Sequence, residues 1–127
     1  MTRGIGIDAV EIARVRSART RLGDRFEQRV LSAAEQELLA TSATPDTFFA
    51  GRFAAKEAVM KVLGTGWAKG VRFRDIEVLR DSDGVPVVHL SGEAALRARA
   101  LGVGQILVSI THTRDLAMAM AVGSPSG

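Results

Sequence analysis

The stretch ATPDTFFAGRFAAKEAVMKVLG, residues 43–64, constrains the fold more than any other part of this chain. Thr44 can cap a helix there, Pro45 suits its first turn, and Gly64 suits its end. Phe49, Phe53, Met60 and Leu63 fall on one face at helical spacing and read as core. Ala50, Ala54, Glu57 and Lys61 fall on the adjacent face, which is small, then acidic, then basic. Glu57 and Lys61 also read as an ordinary surface ion pair four residues apart, worth about 0.3–0.5 kcal/mol.

The chain opens on RGIGID, where isoleucines alternate with glycines before Asp8. It reads as a strand over residues 3–12, built for burial, with Ile5 and Ile7 on one face and Gly4, Gly6 and Asp8 on the other. Glycines there leave room for another element to approach the backbone. A helical, arginine-rich stretch follows, interrupted by Gly23, and residues 24–30 suit a short helix. Ser32 and Glu35 form a capping box for a third helix. DIEVLRD and VPVVHLS flank SDG as a hairpin, SGEAALRARALG reads as a helix, and QILVSITHT and LAMAMAV form a second hairpin. The predicted fold is α+β, a mostly antiparallel sheet packed against one long helix and several shorter ones. It spans residues 1–127 as one domain, with 123–127 a flexible tail.

Composition narrows the chemistry. The chain has 127 residues and no cysteine, so disulfides, thiolate metal sites and a cysteine nucleophile are excluded. Asp8 and Glu11 interrupt any apolar leader, so no signal peptide is expected, and the longest apolar run is too short for a membrane span. A cytoplasmic protein follows as the expectation. A domain this small has little core from which to carve a deep cleft, so a site needing one would borrow walls from another subunit. The net charge is +3, and Arg14, Arg16, Arg19, Arg21, Arg25 and Arg29 crowd one stretch against only Asp24 and Glu27. Such a cluster is either a solvated surface or a face for nucleic acid, phosphates or an acidic protein.

If the face carrying Glu57 packs near the first strand, two carboxylates and an ammonium meet beside open space. One or two carboxylates with substrate phosphates and water suit magnesium, and a lysine nearby suits a second phosphate. Asp8 reads equally as a turn aspartate. Spacing alone does not separate these readings.

A resemblance separates them. GIDAVEI at residues 6–12 and FAAKEAVMK at residues 53–61 resemble the paired signature of the 4′-phosphopantetheinyl transferases. With the short chain and the downstream SITHT, the chain looks like their holo-[acyl-carrier-protein] synthase branch over essentially its whole length. That resemblance implies Mg²⁺-dependent transfer of the 4′-phosphopantetheine arm of coenzyme A to a serine of apo acyl carrier protein, with release of adenosine 3′,5′-bisphosphate. It implies Asp8 and Glu57 as metal ligands and Lys61 as a phosphate partner, the three forming the catalytic set. The serine proton goes to a metal-bound water or to Glu57 itself.

For coenzyme A it implies Arg52, Lys56, Lys61, Gly64, Gly66, His112 and Thr113. Here the alternatives stay open: Arg52 reads also as a solvated arginine, Lys56 as a helix anchor, the 64–70 glycine loop as a plain helix end, and His112 as a structural histidine. Arg14, Arg21, Arg25 and Phe26 would receive the acidic carrier protein, and the working assembly would be a homotrimer with sites between subunits. The reading from another class is a small basic nucleic-acid-binding domain without catalysis. It leaves Asp8 and Glu57 unexplained, and the chain has one Trp and no Tyr to build a stacking platform. A third reading, a catalytically dead paralogue that only binds carriers, sits poorly with intact Asp8, Glu57 and Lys61.

Overall fold

The computed structural model describes residues 2–65 and 70–125. The order of elements is β1 (Ile5–Glu11), α1 (Ile12–Leu22), α2 (Asp24–Val30), α3 (Ala33–Ala40), α4 (Pro45–Leu63), a 3₁₀ turn (Phe73–Asp75), β2 (Ile76–Arg80), β3 (Pro86–Leu90), α5 (Gly92–Ala100), β4 (Gln105–His112) and β5 (Leu116–Ser124). This is the α+β arrangement expected. Gly123 and Ser124, expected in a flexible tail, belong to β5, and Gly123 exchanges backbone hydrogen bonds with Arg3 and Gly4.

Two antiparallel sheets flank α4. One has the strand order β1-β5-β4; the other is the β2–β3 hairpin. In the first, Asp8 lies opposite Ala119, which lies opposite Ile110. The side chains on the α4 side of this sheet are small on β5, with Ala117, Ala119 and Ala121 all buried. The helix answers with Ala54, Ala58, Val59 and Val62, so sheet and helix approach closely and share one core. A smaller cluster, built from Ile12, Val15, Val30, Leu31, Leu39 and Phe49, seats the three short helices on the first half of α4.

The local chemistry of the helix ends follows the sequence. Pro45 occupies the first turn of α4, and Gly64 ends it in the left-handed conformation at φ 70°. Ser32 and Glu35 close a complete capping box on α3. Thr44 and Ser91 stand at their expected cap positions, but neither side chain makes a capping hydrogen bond.

The two faces of the first strand are now told apart. Its glycine face, not its isoleucine face, is turned into the molecule. Ile5 and Ile7 are 61% and 60% exposed, and on the same outer face Leu107 and Met120 are open to solvent. Gly6 is the buried residue because α4 lies so near: a Cβ there would sit 2.0 Å from the Ala58 carbonyl oxygen. No side chain fits that gap. Among the described residues nothing covers the apolar outer face formed by Ile5, Ile7, Leu107 and Met120.

Candidate active site

β1 and α4 run in opposite directions at their contact, and the spacing of that contact places Asp8. A Cβ on Gly4 would meet Val62, and one on Gly6 would meet Ala58 and Lys61. Two strand residues advance about 6.7 Å and four helix residues about 6.0 Å, so the two elements keep step. The next inward position of β1 is Asp8. It comes level with the turn of α4 that carries Glu57.

Lys61 closes this junction from the helix side. Its Nζ donates a hydrogen bond to the Ile7 carbonyl at 2.7 Å and stands 3.6 Å from Asp8 Oδ1. Burial pushes the Asp8 carboxyl above its usual range, and the Lys61 ammonium pulls only partly the other way. Glu57 is half-buried on the same helical face. Among the described residues no group of three or more His, Asp or Glu is gathered anywhere. A cation held by Asp8 and Glu57 would therefore draw its other ligands from water and substrate oxygens. Two hard carboxylates with no soft ligand fit magnesium in that manner, and the residues present are suited to it.

The other lysine of the motif is placed differently. Lys56 is wholly buried. Its ammonium donates to Glu35 Oε1 at 2.7 Å, to the Phe73 carbonyl at 2.9 Å and to the Ile76 carbonyl. Glu35 completes the web by accepting from the Ser32 and Val78 backbone N–H groups. Burial lowers the Lys56 pKa, and the Glu35 carboxylate opposes that shift. These contacts are those of a helix anchor: they tie α3, α4 and the start of β2 together.

Arg52 is neither solvated nor presented at an open surface. It is 2% exposed, its Nε donates to the Val78 carbonyl at 3.0 Å, and its guanidinium lies over the Phe48 ring. Nη2 has no hydrogen-bond partner among the described residues. Burial, with Arg80 nearby, draws its pKa down to about 10.

The remaining candidates are scattered around the junction. His112 ends β4 on the α4 side of the sheet, opposite Ala117, and is exposed. Thr113 Oγ1 accepts from the Asp115 and Leu116 N–H groups, so this hydroxyl shapes the β4–β5 turn. Gly64 is the α4 cap, beside Arg97, whose Nε holds the Leu63 carbonyl at 3.0 Å. Gly66 lies outside the described residues. Arg14, Arg21 and Arg25 are exposed on α1 and α2, whereas Phe26 is half-buried with its ring 5.1 Å from that of Phe49. Arg19, in the middle of the arginine run, binds Glu27 and Asp46 and so braces α1 against α2 and the start of α4.

Sequence reading missed two groups. The Ile7 carbonyl carries no residue signature, and Glu35 was visible only as half of a capping box. Its second oxygen and its partner Lys56 depend on contacts far along the chain. A recess of about 710 Å³ between β3, α5 and β4 is lined by Pro86, His89, Arg99 and Gln105 among others and excludes Asp8, Glu57 and Lys61.

Comparison with known proteins gives the family. Residues 4–121 fit the model of the 4′-phosphopantetheinyl transferase superfamily. The holo-[acyl-carrier-protein] synthase of Solidesulfovibrio magneticus is 50% identical over 122 residues, 96% of this chain and 98% of that protein. The crystal structure of the Neisseria meningitidis synthase superposes with a TM-score of 0.91 at 30% identity, covering 98% of this chain and 99% of that one. The Helicobacter pylori synthase, solved in complex with coenzyme A, gives 0.83 at 33% identity over 94% of this chain and 99% of that one. The chain therefore belongs to the 4′-phosphopantetheinyl transferase superfamily, in its holo-[acyl-carrier-protein] synthase branch.

Proposed function

We propose that this transferase moves the 4′-phosphopantetheine arm of coenzyme A to a serine of an apo acyl carrier protein, in a Mg²⁺-dependent reaction that releases adenosine 3′,5′-bisphosphate. The observation that carries the reading is the junction of Asp8 and Lys61 where β1 crosses α4, with Glu57 one turn before Lys61 on that helix. Asp8 and Glu57 would hold the metal. Magnesium there would offset charge on the pyrophosphate and lower the pKa of a water it binds. Lys61 would pair with a phosphate oxygen. The serine oxygen bonds to the β-phosphorus while the bond from that phosphorus to the bridging oxygen breaks. Glu57, or a water beside it, takes the serine proton.

The remaining groups serve recognition. Exposed Arg14, Arg21 and Arg25 form a positive face for the acidic carrier, with attraction that speeds encounter and weakens with salt. Phe26 supports that face from beneath. His112, Thr113 and the chain after Gly64 are the proposed coenzyme A contacts, with Gly66 among them. Arg52 and Lys56 would act there only through the elements they hold. The apolar outer face of Ile5, Ile7, Leu107 and Met120 suits burial between copies of this chain. A homotrimer with sites at the subunit boundaries accounts both for that face and for the openness of the carboxylate junction. No helix among the described residues is long and apolar enough to cross a membrane, and we place the enzyme in the cytoplasm.

The test is direct. The chain is incubated with coenzyme A, Mg²⁺ and several apo carrier proteins, and carrier mass is measured. A gain of one phosphopantetheine group, absent when the metal is chelated, is expected. No mass gain on any carrier would overturn the reading.

A further inference from the structure

Lys61 leaves α4 where the first strand presses closest, since a Cβ on Gly6 would lie 2.9 Å from Lys61 Cβ. Its side chain then runs along β1 and ends between two oxygens of neighbouring residues. The short contact is to the neutral one, the Ile7 carbonyl at 2.7 Å; the carboxylate oxygen of Asp8 is 3.6 Å away. A lysine committed to an ion pair closes to about 2.8 Å of the carboxylate. This ammonium is instead tethered by a backbone dipole at a stand-off from Asp8. It is 53% exposed while Asp8 is 20% exposed, so the cation lies on the solvent side of the carboxylate.

We propose that Lys61 is a resident counter-cation for Asp8, and that it makes divalent-cation binding conditional on an anionic phosphate substrate. The proposal rests on the reading of Asp8 and Glu57 as cation ligands and adds a second role for Lys61. A unit charge within about 4–6 Å changes a carboxylate's proton affinity by about 1–3 pK units, and an incoming metal meets the same repulsion. With no phosphate present, Lys61 weakens cation binding by about tenfold or more on that scale. An arriving pyrophosphate gives the ammonium a stronger partner than a carbonyl and draws it away from Asp8. Cation and phosphate then strengthen each other's binding by the same factor. The tether matters because Ile7 directly precedes Asp8, so the ammonium is positioned by the same strand that positions the carboxylate.

The test measures Mn²⁺ binding to the full chain by electron paramagnetic resonance, with and without coenzyme A, and needs no turnover. Lys61→Met and Lys61→Gln are expected to bind Mn²⁺ about tenfold more tightly than the native chain when coenzyme A is absent. The native enhancement by coenzyme A is expected to shrink in both. Lys61→Arg, which keeps the charge, is expected to stay near the native affinity. Equal or weaker Mn²⁺ binding by both neutral variants, each shown folded by circular dichroism, would overturn the proposal. Asp8→Asn separates the layers. If it binds Mn²⁺ as the native chain does, the reading of Asp8 as a ligand fails; if it loses binding while the Lys61 variants show no gain, only the counter-cation role fails.

Discussion

Two lysines little more than a turn apart on α4 sit against carboxylates in opposite ways. Lys56 and Glu35 are both fully buried, in contact at 2.7 Å, and the pair also binds backbone groups of the surrounding framework. Lys61 and Asp8 are partly exposed, separated by 3.6 Å, and the lysine's closest partner is a backbone carbonyl. A saturated pair can hold structure but has no valence left for a ligand. A loose pair at the surface contributes little to stability and leaves both charges available. The motif that joins Lys56 and Glu57 therefore places an anchor and the proposed metal ligand on neighbouring residues, about 100° apart around the helix.

The contrast can be broken in several ways. The largest effect belongs to the open side: Asp8→Asn and Glu57→Gln are each expected to cut transfer by about 10²–10⁴-fold, the range for losing a group that handles charge or protons in the transition state. Thermal unfolding should barely move. Glu35→Gln reverses the pattern. It leaves the Lys56 ammonium uncompensated in the interior, and urea unfolding is expected to show a loss of about 3–5 kcal/mol. Replacing both partners by leucine is not expected to restore stability, because the Phe73 and Ile76 carbonyls and the Val78 N–H would lose their partner.

Gly6→Ala comes next. The new Cβ would fall 2.0 Å from the Ala58 carbonyl, so β1 must move off α4, at about 1–3 kcal/mol, and carry Asp8 with it. Stability and transfer should therefore fall together. The smallest effect is expected at Asp46. Burial raises its pKa, but hydrogen bonds from Arg16 and Arg19 outweigh that and hold it below 3.8. Its pairing contributes stability that is present above the unfolded carboxylate's pKa and is lost as pH falls through the lower folded value. Asp46→Asn should cost under about 1 kcal/mol at neutral pH, an exposed-pair value, and should remove that part of the acid sensitivity below pH 3.8. Unfolding midpoints followed from neutral pH into that acid range check it.

Much of this was legible before the fold was known. The length, ends and core face of α4 followed from Pro45, Gly64 and the phenylalanine spacing, because those signals are local. The alternation of β1 was also visible, but its direction was not. Isoleucine usually marks the inside, yet here α4 approaches so closely that only glycine fits, and the isoleucines face outward. Alternation alone does not say which of two faces turns inward. The same limit applies to Arg52 and Lys56. Each sits on α4 among alanines, and their burial depends on carbonyls of residues 73–78, which no helical period announces. Asp8 and Glu57 were named by their motifs. What the fold adds is the register of strand on helix that brings them level.

The measurement that bears most directly on the division between anchor and working pair is a crossed one. Lys56→Met and Lys61→Met are each followed by unfolding midpoint and by phosphopantetheine transfer per folded molecule, read from carrier mass. Lys61→Met is expected to keep the midpoint and lose transfer, while Lys56→Met loses the midpoint and retains transfer at temperatures where it is folded. The reverse pattern, or equal losses of both quantities in both variants, would contradict the assignment of the closed pair to the framework and the open pair to the chemistry.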